Sequence, residues 1–144
     1  MKWPVRHVLW DWNGTLLDDV DCCVGILNVL CERRRMGPVE REDYLRKFTF
    51  PVIEYYRELG FDPARESFEE AAREWVDLYT ERLPGEAQLH DGVPEVLEAV
   101  RERGIGQSVL SAHHRGMLVA AVERYGLAEF FDAVLGIEDH YAES

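Results

Sequence analysis

The order of its apolar segments constrains this chain most. One short run rich in β-formers, Val5-Arg6-His7-Val8-Leu9-Trp10, comes first. A long stretch of helical pattern follows, and from Asp91 a helix, a strand, a helix and a strand alternate. Strands joined through helices lie parallel, with right-handed crossovers. The pattern predicts an α/β core formed by residues 1–17 and 89–144, interrupted by a helical insert at 18–88.

Within the insert, Asp18 and Asp19 are placed to cap a helix whose apolar positions Val20, Cys23, Val24, Leu27, Leu30 and Cys31 recur at helical spacing. Arg33-Arg34-Arg35 stands at its end and reads as a solvated terminus, and Gly37-Pro38 stops it. Residues 40–47 and 51–59 read as two short helices. Ser67 and Glu70 form a capping box for a longer helix carrying Trp75 and Tyr79 on its apolar face. Residues 83–91, with Pro84-Gly85, read as a linker. Asp91 is placed to cap the next helix, Gln107–Ser111 is a strand, a helix begins near His114, and Phe130–Gly136 is a closing strand.

Composition narrows the function. The 144 residues include 47% hydrophobic and 31% charged residues, an ordinary globular balance, and carry a net charge of −12. So acidic a chain repels phosphate backbones and anionic lipid, which argues against nucleic-acid and membrane partners. No apolar run is long enough to span a bilayer, and Met1-Lys2-Trp3-Pro4 lacks an apolar signal region, so the cytoplasm is the expected location. Cys22, Cys23 and Cys31 show no metal spacing and read as small core residues.

The segment that carries chemistry is Asp11-Trp12-Asn13-Gly14-Thr15-Leu16-Leu17-Asp18. It puts a carboxylate at the carboxyl end of the first strand, where open α/β sheets bind ligands. Gly14 allows a close backbone approach to an anion, and a carboxylate so placed serves as a nucleophile or a Mg²⁺ ligand. Taken alone, the same residues equally describe an Asp-Asn-Gly turn without chemistry.

The segment closely resembles the first motif of the haloacid dehalogenase superfamily, Asp-x-Asp-Gly-Thr-Leu-x-Asp. The helical insert resembles that superfamily's cap, and Val109-Leu110-Ser111 resembles its second motif. The arrangement looks most like the phosphoglycolate phosphatase-type hydrolases. The resemblance implies a Rossmann-like core with an α-helical cap, and Mg²⁺-dependent hydrolysis of a small phosphorylated metabolite. Asp11 would be the nucleophile that forms an aspartyl-phosphate. It would also bind Mg²⁺, together with the backbone carbonyl of Asn13. Ser111 would contact a phosphate oxygen, Gly14 and Ala112 would offer backbone N–H groups, and Thr15 would support the loop.

Two departures bear on these implications. Asn13 stands where the family's phosphatases have the Asp that serves as general acid/base, and an amide does not exchange a proton in that way. Nothing supplies the family's third-motif Lys or its later pair of acids. Lys47 lies in the insert, Lys2 precedes the first strand, and Glu138-Asp139 reads as a pair of solvated loop acids. The expectation is therefore that the C-terminal part of the core is missing and the first strand has an open edge. Alternatives are a catalytically weak phosphate-binding or regulatory protein, a 2-haloacid dehalogenase-type hydrolase, and a non-enzymatic interaction domain. His113 and His114 read as helix N-terminal surface residues, or else as a replacement acid.

Overall fold

The computed structural model describes residues 4–142; Lys2, Glu143 and Ser144 lie outside the described residues. In chain order the elements are β1 (His7–Trp10), β2 (Leu17–Asp18), α1 (Val20–Arg33), α2 (Arg41–Lys47), α3 (Val52–Leu59), α4 (Phe68–Glu86), β3 (Gln88–Leu89), α5 (Val93–Glu102), β4 (Gly106–His114), α6 (Arg115–Arg124), a 3-10 turn (Ala128–Phe130) and β5 (Ala133–Ile137). The chain divides into two compact units. One comprises the residues up to Asp18 with Gln88–Glu138, and the other Asp19–Ala87 with the residues from Asp139 on.

The first unit is built on a parallel sheet of order β1-β4-β5. Leu9 lies opposite Ser108 and Trp10 opposite Val109, while Val109 and Leu110 face Val134 and Leu135. The face carrying Val109 is covered: Val109, Leu97 of α5 and Leu118 of α6 are all fully buried. Buried Gln107 joins three elements. Its Oε1 accepts from the Trp10 indole at 3.0 Å, and its Nε2 donates to the Leu97 carbonyl at 2.9 Å. Among the described residues β1 is an edge strand, as the open-edge expectation has it. A separate antiparallel pair, β2 with β3, sets Leu17 opposite Leu89 and Asp18 opposite Gln88.

The second unit is helical. The capping box at Ser67 and Glu70 is present, with both reciprocal bonds made. Trp75 stacks on Tyr79 at 4.6 Å, and all three cysteines are buried and free. Burial pushes the Cys22 thiol up to about 11. Asp19 occupies the position before α1 but makes no cap bond there. Its carboxylate, 2% exposed, instead accepts from the Tyr79 hydroxyl at 2.9 Å. Arg33 and Arg35 are exposed, as a solvated helix end would be, but Arg34 is largely covered. Arg33 pairs with Glu74, Arg34 pairs with Glu66 and Glu74, and Arg34 also lies 5.2 Å from the Phe61 ring centre.

Other local expectations are corrected for physical reasons. Residues 83–86 continue α4 rather than starting a linker. Tyr79 and Leu83 are buried on its inner face, and the Ala87 amide closes the last turn on the Leu83 carbonyl at 3.0 Å. That burial outweighs the one backbone bond lost at Pro84. Asp91 does not cap α5, because Gly92 takes that position with φ +82. Phe130 closes a 3-10 turn and β5 begins at Ala133. The largest correction is β4, which runs on to His114 instead of stopping at Ser111. It does so by shifting register: Leu110 pairs with Leu135 and His114 with Ile137, so β4 carries two more residues than β5 over that span.

Candidate active site

Asp11 directly follows β1, and Ser111 lies in the irregular end of the neighbouring parallel strand β4. Trp10 is level with Val109, so Asp11 lies one residue and Ser111 two residues past the last pair of β1 with β4. Bulges at such positions re-aim side chains and recur beside active sites. Here the irregularity covers Ser111, Ala112 and His113. It also brings β5 close: a Cβ on Gly136 would lie 2.5 Å from the His113 carbonyl oxygen.

The loop after β1 is closed by its own backbone. The amides of Thr15, Leu16 and Leu17 all donate to the Trp12 carbonyl, at 3.2, 3.1 and 3.0 Å. Gly14, with φ +77 and open space where a Cβ would stand, makes the sharp turn this requires. Its amide donates to the Leu17 carbonyl at 2.8 Å, so the bond to phosphate expected of it would have to be shared. Buried Trp12 turns inward against Tyr125, and this sends the exposed Asp11 side chain the other way. Thr15 Oγ1 donates to Asp11 Oδ2 at 3.0 Å.

Residues far apart in sequence converge on this loop. Ser111 Oγ donates to Asn13 Oδ1 at 3.4 Å and accepts from the His113 amide at 3.2 Å. Ala112 is half-buried beside it. His113 and His114 belong to β4 and are half-buried rather than surface residues, although His114 does stand at the N-cap of α6, which begins at Arg115. Glu138 and Asp139 are exposed past β5, and Lys47 is exposed on α2. Sequence reading missed His90. Its amide donates to the Leu16 carbonyl at 3.0 Å, its Nε2 lies 3.2 Å from the Gly14 carbonyl oxygen, and its Nδ1 lies 4.0 Å from Asp18 Oδ2. Only the pairing of β3 with β2 puts it there, and no spacing in the chain announces that pairing.

Among the described residues, no group of three or more His, Cys, Asp or Glu side chains is gathered to hold a metal. The donors on the loop are hard oxygens: the Asp11 carboxylate and the Asn13 main-chain carbonyl. That chemistry fits Mg²⁺, which uses one or two carboxylates and completes its shell with water and substrate phosphate.

A sequence profile described as haloacid dehalogenase-like hydrolase matches residues 8–143. The chain belongs to this haloacid dehalogenase-like family. Among relatives, it is 28% identical over 134 residues to a phosphoglycolate phosphatase of Synechococcus elongatus, covering 90% of this chain and 60% of that one. It is 26% identical to a phosphoglycolate phosphatase of Caulobacter vibrioides, covering 91% of this chain and 57% of the other. The fold is shared with a predicted phosphoglycolate phosphatase from Haemophilus somnus at a TM-score of 0.76 and 15% identity, covering 94% of this chain and 64% of that one. The chain thus spans about 60% of the length of these curated relatives. At the loop of this family member, the Asn13 side-chain carbonyl is held by Ser111.

Proposed function

We propose that this protein hydrolyses a small phosphomonoester of the phosphoglycolate type, with Asp11 as nucleophile. The observation that carries the reading is the exposed Asp11 carboxylate, tied through Oδ2 to Thr15 beside the Ser111 bulge. The remaining oxygen, Oδ1, attacks phosphorus. The ester P–O bond breaks, and the leaving alkoxide takes its proton from water, because the Asn13 amide N–H is not acidic enough to give one. Water then attacks the aspartyl-phosphate, releasing inorganic phosphate and restoring the carboxylate. Ser111 and the Ala112 amide serve the phosphate oxygens. Mg²⁺, held by the Asp11 carboxylate and the Asn13 carbonyl, would neutralise charge between two anions that otherwise repel.

The acidic chain favours a small metabolite as ligand over nucleic acid or membrane, and the cytoplasm is the proposed location. No helix among the described residues is long and apolar enough to cross a membrane. Asn13 favours one second reading: phosphate is bound or transferred to Asp11 and then released slowly.

The test is phosphate release from p-nitrophenyl phosphate. The expected result is release that needs Mg²⁺, stops with EDTA, and is lost in Asp11→Ala. Release that survives Asp11→Ala contradicts the reading.

A further inference from the structure

We propose that His90 is a positioning residue that sets the Asp11 carboxylate through the Gly14–Thr15 peptide. The inference rests on the reading of Asp11 as nucleophile. A carbonyl oxygen only accepts, so the 3.2 Å contact to the Gly14 carbonyl makes His90 Nε2 the protonated, donating nitrogen. That carbonyl belongs to the same peptide plane as the Thr15 amide, which donates to the Trp12 carbonyl at 3.2 Å. The plane is therefore fastened on both sides, by His90 at its C=O and by Trp12 at its N–H. A peptide following a residue at φ +77 has few other restraints on its tilt.

The tilt of this plane sets where the Thr15 Cα stands. Thr15 Oγ1 in turn holds Asp11 Oδ2 at 3.0 Å. The chain of contacts therefore runs from the ring to the peptide, to the hydroxyl, to the carboxylate. His90 is itself fixed at its backbone, where its amide donates to the Leu16 carbonyl, so the ring starts from a determined place. Asp18, 4.0 Å from Nδ1, lies on the ring's other side. The bond to Gly14 needs only a proton on Nε2.

The experiment compares His90→Ala and His90→Gln with the wild type. The ring is 43% exposed, so truncation leaves the core intact and melting temperatures should match. Glutamine can return a donor to the Gly14 carbonyl. The first readout is hydrogen exchange at the Thr15 amide, expected to be on the order of tenfold faster in the alanine variant and restored in the glutamine variant. The second is phosphate release, with kcat expected to fall roughly ten- to hundredfold at unchanged KM in alanine and to recover in glutamine. Unchanged exchange overturns the clamp. Faster exchange with unchanged kcat overturns the positioning role. A wild type without turnover, or an active Asp11→Ala, would defeat the reading of Asp11 and this catalytic consequence with it, while exchange still decides the clamp.

Discussion

At the scale of the residue, the loop separates holding from reacting. Thr15 and the backbone hold Asp11, and Ser111 holds Asn13. Replacing Asn13 with Asp restores a group that takes and gives a proton. Such help is typically worth ~10²–10⁴-fold, so Asn13→Asp should raise steady-state phosphate release by a measurable part of that range. An unchanged or lower rate would mean that proton transfer does not limit turnover. Thr15→Ala should lower kcat with little change in KM, because the hydroxyl orients the carboxylate without reaching substrate. Cys22, pushed up to about 11 by burial, should stay protonated and resist thiol reagents at neutral pH; fast labelling of the folded protein would contradict this. The nearness of Asp11, Asn13 and Thr15 was legible in the sequence because they lie in one contiguous segment after β1, and that of Ser111 because it lies in a strand parallel to β1. His90 was not, because its role depends on a two-residue strand pairing that has no periodic signal.

At the scale of the element, the irregular end of β4 does most to shape the site. Gly136 is the small residue that lets β5 pass the bulge, since a Cβ there would stand 2.5 Å from the His113 carbonyl and 2.8 Å from the Arg115 Cα. Gly136→Ala should therefore cost about 1–3 kcal/mol by overpacking and disturb Ser111, read as a lower denaturation midpoint. The capping box of α4 gives a pH prediction. The Ser67 main-chain amide holds the Glu70 carboxyl below its ordinary value, so its contribution to stability is present at neutral pH. It should be lost as the pH falls through that lowered value, and Glu70→Gln, which removes the titrating carboxyl, should flatten this part of the acid profile. Long periodic helices such as α1 and α4 were legible from their apolar faces. The extent of β4 was not. Ala112, His113 and His114 lack the alternation that marks a strand, and they are held by neighbours instead of by pattern. The end of α4 was misplaced for the opposite reason: Pro84-Gly85 signals a break that buried Leu83 overrides.

At the scale of the whole molecule, the α/β order with its helical insert was legible from segment alternation alone. Three large side chains on one face of the sheet remain exposed, Leu9, Leu110 and Leu135, beside the open edge of β1. Such a surface favours association. Leu9→Lys should shift the protein toward monomer in light scattering as concentration rises, and no shift would mean that this face is not where copies meet. The central claim is the covalent chemistry of Asp11, and one measurement reaches it directly. Protein mixed with Mg²⁺ and p-nitrophenyl phosphate is quenched, reduced with borohydride and digested. An aspartyl-phosphate is then converted to homoserine, which peptide mass spectrometry locates. Homoserine is expected at residue 11, more of it in the wild type than in Asn13→Asp, and none in Asp11→Ala. Homoserine at another position, or phosphate release continuing in Asp11→Ala, would contradict the claim.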